Sequence, residues 1–179
     1  MYASVDDVDW ENWNPVERAT LMFVIRQDEI LLIHKKRGFG KGKINGPGGK
    51  IEPGETPREC AIRETQEELC ITPTGVEDAG LLHFQFVDGF SIYGHVFTAT
   101  GFEGTPSETD EAIPLWFPVD NLPFDRMWED DHTWFPHLLA GQCFSGRYLF
   151  EGDHMLDVAI DLFPSHASLH DRAEMRDSE

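Results

Sequence analysis

The chain has little positive charge, few cysteines and no long apolar run. Only 14 of its 179 residues are Lys or Arg, against 33 Asp or Glu, for a formal net charge of −19. A surface so acidic repels nucleic-acid backbones, which excludes a general role in coating DNA or RNA. A small phosphorylated ligand stays compatible, provided local cations or a metal neutralise it. The three cysteines, Cys60, Cys70 and Cys143, are odd in number and show no C-x-x-C spacing. That argues against a disulfide framework and a structural zinc site, and it fits a reducing compartment. No apolar stretch approaches the ~20 residues of a membrane-spanning helix. Met1–Trp13 is acidic and lacks the basic and apolar regions of a secretory signal. The expectation is a soluble, cytoplasmic monomer whose partner is a small molecule, with neither a nucleic-acid polymer nor a membrane.

What is present makes one domain. Hydrophobic residues are 40% of the chain and aromatic residues 12%, enough for an ordinary core. Residues 1–17 read as an acidic N-terminal arm, flexible or loosely docked, 18–163 as the folded domain and 164–179 as a polar tail. Thr20–Arg26 and Glu29–Lys36 are apolar, β-branched runs around Gln27-Asp28, a hairpin pattern. Gly80–Val87 and Ser91–Thr98 flank Asp88-Gly89 in the same way. Leu115–Val119 and Gly146–Phe150 read as short strands, and a second helix runs from near Asp131 through Leu139 to Gly141. Between Gly38 and Gly54 lie seven glycines and two prolines, too many for a regular element, so this loop is where function is expected. Five of the basic residues, Lys35, Lys36, Arg37, Lys41 and Lys43, fall at its start. From charge alone that run is a solvated loop.

A helix over Pro57–Leu69 has clear punctuation. Thr56 caps it, Pro57 suits its first turn and Glu59 completes a capping box, while Pro73 prevents continuation. At about 100° per residue, Glu64, Glu67 and Glu68 fall within roughly 100° of arc, with Ile62, Thr65 and Leu69 directed elsewhere. Like charges so placed weaken a helix by about 0.2–0.5 kcal/mol per pair. Oxygen ligands on a rigid element are what a hard divalent cation requires. A solvated acidic face is the competing reading of the helix alone.

The wider spacing decides between them. Gly49, Glu55, Arg63-Glu64, Glu67-Glu68 and Ile71 stand at the offsets of the Nudix signature, which this segment resembles. Thr65 at a usually aliphatic site and Cys70 in place of the glycine that usually ends the helix are the departures. The resemblance implies a Nudix α/β/α sandwich with a mixed β-sheet. It also implies Mg²⁺, or Mn²⁺, bound by Glu64, Glu67, Glu68 and the carbonyl of Gly48, with Glu111 as a further metal-side and catalytic glutamate. Such a site neutralises phosphate oxygens and lowers the pKa of a bound water. Lys35 and Lys50 then become candidates for phosphate contact, and Arg63 orients a glutamate.

The resemblance extends over roughly residues 20–161. KKRGFGKGKINGPGGK (Lys35–Lys50), EGTPSETDE (Glu103–Glu111) and MWEDDHTWFP (Met127–Pro136) look like the family's animal branch, the 8-oxo-dGTP diphosphatases. That branch implies base reading by Asn45, Asp130 and Asp131, stacking by Trp128, and a pocket lined also by Thr20, Lys35 and Phe39 with an apolar wall of Phe84 and Phe86. Two adjacent buried aspartates are not both ionised, so one becomes a donor. The plain alternatives are that Asp131 caps the following helix and that Trp128 fills the core. Pro47 stands where the branch has a bulkier residue, and Glu129 where it has proline, so the pocket shape differs. The implied reaction is hydrolysis of oxidised purine nucleoside triphosphates to monophosphate and pyrophosphate. The signature by itself also admits RNA 5′-end or dinucleotide substrates, and a non-catalytic nucleotide sensor.

Overall fold

A computed structural model describes residues Tyr2–Pro164, so the tail expected beyond Pro164 lies outside the described residues. In chain order, β1 (Glu17–Arg26), β2 (Glu29–Lys35) and β3 (Ile44–Asn45) precede α1 (Pro57–Leu69). Then come β4 (Ile71–Thr74), β5 (Glu77–Phe86), β6 (Ser91–Ala99), β7 (Gly101–Gly104) and β8 (Ala112–Pro118). They are followed by α2 (Asp131–Leu139), β9 (Cys143–Glu151) and β10 (His154–Phe163). These elements group into two units. One holds Ala19–Glu77 and Val96–Trp128 and contains α1; the other holds the residues up to Arg18, Asp78–His95 and those from Glu129 onward, and contains α2. No helix among the described residues is long and apolar enough to cross a membrane.

In the α1 unit, the expected hairpin forms with Val24 opposite Leu31 and Arg26 opposite Glu29. β2 also pairs antiparallel with β3 and β8. Met22, Val24, Leu31 and Ile33 from the hairpin bury against Ala61 and Leu69 of α1. The helix has the expected bounds because its ends are satisfied locally. The Thr56 hydroxyl accepts from the Glu59 N–H at 3.2 Å, and the Glu59 carboxylate accepts from the Thr56 N–H at 2.9 Å. Cys70 ends the helix in the left-handed conformation, φ 61° and ψ 26°, donating its N–H to the Gln66 carbonyl at 2.9 Å. Thr65 is tolerated inside because its hydroxyl donates to the Ala61 carbonyl at 2.7 Å.

One short sheet was not expected. Pro73 ends α1's run as anticipated, yet Ile71–Thr74 is itself strand β4, paired with β7 and with Pro73 opposite Phe102. A two-stranded sheet has only edges, where proline's missing N–H costs no ladder bond.

In the α2 unit, β10 pairs antiparallel with β9, and β5 lies parallel to β9, with Gly80 opposite Phe144. Parallel and antiparallel pairs together make the sheet mixed, so the expected α/β class holds. Helix α2 buries Trp134, Phe135 and Leu138, and Trp134 stacks on Phe144 with centroids 5.6 Å apart. The first residues are more firmly seated than a loose arm. Val5 and Val8 are buried, the Val5 N–H donates to Asp157 at 2.9 Å, and the Trp13 indole N–H donates to Gln85 at 2.8 Å. Two tryptophans in an otherwise acidic stretch supply the apolar area that seats it.

Candidate active site

The glycine loop approaches the α1 unit's strands as an extended backbone. The Thr20 N–H donates to the Gly49 carbonyl at 2.9 Å, and the Met22 N–H to the Pro47 carbonyl at 2.9 Å. A Cβ on Gly48 would lie 1.8 Å from the Thr20 carbonyl oxygen, and one on Gly49 would lie 2.5 Å from the Glu64 carboxyl carbon. Only glycines let β1 on one side and a carboxylate of α1 on the other come this close.

Arg63 organises the carboxylates at the loop. Its guanidinium grips Glu55 through both oxygens, Nε to Oε1 at 2.7 Å and Nη2 to Oε2 at 2.9 Å. The same side chain reaches Glu64 Oε1 at 2.7 Å and Glu67 Oε2 at 3.3 Å, as well as the Lys50 carbonyl at 3.3 Å. The hydrogen bond from Arg63 holds the Glu55 carboxyl down at about 2. Glu64 is largely buried, and that burial raises its pKa although Arg63 opposes the rise. Arg63 therefore orients glutamates, as expected.

Glu68 is different. It is 1% exposed, its Oε1 stands 3.7 Å from the Lys35 ammonium, and its Oε2 is buried with no hydrogen-bond partner. Burial pushes its pKa up to about 7, while Lys35 favours the ionised form. A buried carboxylate oxygen without a donor is costly, so it marks a place where a further positive group is wanted.

The segment carrying Glu111 is fastened to the end of α1. The Ser107 N–H donates to the Leu69 carbonyl at 3.0 Å, and the Thr109 hydroxyl to the Glu68 carbonyl at 2.9 Å. These bonds satisfy carbonyls that a helix end leaves orphaned. They also put Glu111 close enough for its charge to raise the pKa of both Glu64 and Glu68. Glu111 itself is ion-paired with Arg37.

This donor set fits a divalent cation. The ligands are hard oxygens on a rigid helix, one buried oxygen lacks a partner, and their mutual repulsion is relieved by added positive charge. Among the described residues no three acidic, His or Cys side chains already stand at cation-holding spacing; Arg63 holds oxygens of Glu64 and Glu67, and Arg37 pairs with Glu111.

The expected base-reading residues divide between the units. In the α1 unit, Phe39 and Trp128 come together, stacked at 5.0 Å with planes 16° apart, and the Lys43 ammonium lies 4.6 Å from the Trp128 ring centroid. Trp128 therefore neither fills the core nor stands alone: its ring is stacked by Phe39 and approached by Lys43. Asn45 Oδ1 accepts from the Gly46 N–H at 2.8 Å, and Lys50 is exposed. Thr20 is buried, with its hydroxyl 3.3 Å from Cys60 Sγ. In the α2 unit, Asp130 and Asp131 are both buried, and Phe84 stacks on Tyr148 at 5.2 Å while Phe86 packs near Phe150. Asp130, not Asp131, is the N-cap residue of α2, and it makes no side-chain cap bond. Its Oδ2 instead accepts from the Trp134 indole N–H at 2.9 Å, and burial raises its pKa. Trp134 was missed in the sequence, although four residues of helical separation already place it on the side of Asp130. Arg37 was seen only as part of a basic run; its pairing with Glu111, 74 residues away, had no local signal.

A glycine loop packed against a helix of carboxylates, one of which keeps a buried oxygen without a hydrogen-bond partner, is equipment for hydrolysing a phosphate chain with a divalent cation. The chain belongs to the Nudix family: the NUDIX domain model matches residues 15–138. Members of that family are hydrolases that generally use divalent ions such as Mg²⁺, and this chain is an enzyme of that class. It is 42% identical to the oxidized purine nucleoside triphosphate hydrolase of Danio rerio, over 80% of this chain and 96% of that protein. Identity to the Mus musculus protein of the same name is 41%, over 74% of this chain and 85% of the other. Among solved structures, a MutT protein from Bacillus halodurans superposes with a TM-score of 0.72 at 29% identity, covering 84% of this chain and 99% of that one.

Proposed function

We propose that the chain hydrolyses oxidised purine nucleoside triphosphates of the 8-oxo-dGTP type to nucleoside monophosphate and pyrophosphate, sanitising the nucleotide pool. The observation that carries this reading is the likeness to two proteins named for that activity, over 96% and 85% of their lengths. In this reading Mg²⁺, with Mn²⁺ as a substitute, is held by Glu64, Glu67, Glu68, Glu111 and the Gly48 carbonyl. The ion supplies charge neutralisation and a more acidic water. Lys35 and Lys50 meet the phosphates. Trp128 and Phe39 supply stacking surface, Asn45, Asp130 and Asp131 supply edge-reading hydrogen bonds, and Thr20 and Phe84 complete the substrate set. The protein acts in the cytoplasm as a monomer on a small-molecule substrate.

The partnerless oxygen of Glu68 supports the metal assignment, and the net charge of −19 counts against a polymeric RNA substrate. Steady-state hydrolysis of 8-oxo-dGTP, 2-hydroxy-dATP, methylated purine nucleotides, dGTP and a 5′-triphosphorylated RNA tests the proposal, with pyrophosphate and orthophosphate measured separately. The expected result is the highest kcat/KM for an oxidised purine, with pyrophosphate released. Equal rates for dGTP, or nucleoside diphosphate with orthophosphate as products, would overturn it.

A further inference from the structure

Three consecutive cations stand where β2 ends, and each is held by a carboxylate. Lys35 lies 3.7 Å from Glu68. Lys36 reaches Glu108 at 2.8 Å and the Thr109 carbonyl at 2.8 Å. Arg37 pairs with Glu111. β2 ends in pairing, with Lys35 opposite Ala112 and the Lys36 N–H donating to the Glu111 carbonyl at 2.8 Å, and the chain bends at Arg37. The contacts divide the three: Lys35 and Arg37 reach Glu68 and Glu111, whereas Lys36 reaches Glu108.

The partners differ in the same way. Lys36 is held by a glutamate and a carbonyl that have no part in the cation site. Lys35 and Arg37 are held by Glu68 and Glu111, which do. A carboxylate that turns to a divalent cation gives up much of its hold on a neighbouring guanidinium. The Arg37–Glu111 pair is also an easy one to exchange, since the side chains are 61% and 36% exposed. A triphosphate must meanwhile be accepted by a chain of net charge −19 that has five lysines. A guanidinium fork matches phosphate oxygens through two parallel hydrogen bonds, which an ammonium cannot do.

We propose that Arg37 is a substrate-binding residue that exchanges partners, holding Glu111 until that carboxylate is drawn to a cation and then taking the phosphates of the substrate that leave as pyrophosphate. The proposal rests on the function proposed above and adds to it a phosphate contact and a reason for Glu111 to be kept waiting in an ion pair. It also couples the two ligands, because Arg37 competes with the cation for Glu111 and cooperates with it in holding phosphate.

The test uses the full chain and its Arg37→Ala, Arg37→Lys and Lys36→Ala variants. Calorimetry reads Mg²⁺ binding alone, then inorganic pyrophosphate binding at saturating Mg²⁺. Arg37→Ala is expected to bind Mg²⁺ up to ~3-fold more tightly, because an exposed competing pair is removed. The same variant is expected to bind pyrophosphate about 10-fold or more weakly, because a charge-assisted fork is lost. Arg37→Lys falls between, and Lys36→Ala stays within ~2-fold of wild type in both titrations. Wild-type pyrophosphate affinity in Arg37→Ala would overturn the proposal, and so would an equal loss in Lys36→Ala, which would reduce the effect to general charge. A wild-type chain that hydrolyses 8-oxo-dGTP while Arg37→Ala is unchanged removes this inference alone. A wild-type chain that binds neither Mg²⁺ nor pyrophosphate removes the function reading as well.

Discussion

Helices α1 and α2 both bury carboxylates, but they settle them differently. On α1, Glu68 is 1% exposed and one of its oxygens has no partner, while Glu64 and Glu67 share one arginine. On the cap of α2, Asp130 is 3% exposed and accepts a hydrogen bond from the Trp134 indole N–H at 2.9 Å. Burial raises the pKa of both groups, so burial does not separate them. The partner does. A buried acid fixed by a neutral donor is held in one orientation and suits reading a ligand's edge. A buried acid with one oxygen left without a partner, beside like charges, suits a cation that arrives with the substrate.

The sharpest break of this contrast is on α1. Glu68→Gln or Glu67→Gln removes a proposed cation ligand but keeps size and helix propensity, and it lessens repulsion along the helix. Turnover is expected to fall by about 10³-fold, since metal-assisted stabilisation amounts to several kcal/mol, with the fold intact by circular dichroism. Activity equal to wild type in both variants would remove the catalytic role of α1.

A second difference concerns pH. Folding raises the Glu68 pKa from its ordinary 4.5 to about 7, so the folded state binds the proton more tightly. Its contribution therefore favours the fold at low pH and is lost as pH rises from about 4.5 to about 7. The loss amounts to about 3 kcal/mol when a divalent cation is absent. Denaturant unfolding at pH 5 and pH 7.5 in a chelator reads it. Glu68→Gln should flatten that slope, and a slope unchanged in the variant would show that other groups set it.

On α2, the bond from Trp134 distinguishes the two aspartates. Asparagine at 130 keeps an acceptor for the indole and a donor where the proton of a raised-pKa acid would sit. Asp130→Asn should therefore keep most of the preference for 8-oxo-dGTP over dGTP. Asp131→Asn should lose about 1–3 kcal/mol of discrimination in kcat/KM. The reverse ranking would show that Asp131 carries the proton. The smallest effect lies at the end of α1. Cys70 holds φ at 61°, a conformation that glycine adopts without strain. Cys70→Gly should stabilise the chain by about 1 kcal/mol with unchanged turnover, and a destabilised variant would mean that the thiol contributes packing.

Most of the framework was legible because local chemistry determined it. The capping box of Thr56 and Glu59 and the proline that follows set α1, and the polar pairs Gln27-Asp28 and Asp88-Gly89 set two hairpins. β4 and β7 were not legible, because the strands are only four residues long and Pro73 in one of them reads as a stop. β10 was not either; it is half-exposed along its length, so its pattern is weak. At the site, the carboxylates and their offsets were plain in the sequence. Their partners were not. Nothing local tells that Arg37 will meet Glu111, or that Glu68 alone among the three glutamates will be buried on both oxygens, since both facts depend on how β2, β8 and α1 pack. The seating of the first residues was not legible for the same reason, since Val5 and Trp13 meet partners far along the chain, Asp157 and Gln85.

Glu68 is proposed to be an acid that waits for a cation. Thermal unfolding at pH 7.5 of the wild type and Glu68→Gln, each with chelator and with saturating Mg²⁺, tests this directly. The predicted result is a variant that melts higher than wild type in chelator, together with a Mg²⁺-induced rise in Tm that is large in wild type and mostly lost in the variant. Equal Mg²⁺-induced rises in the two proteins would contradict the account.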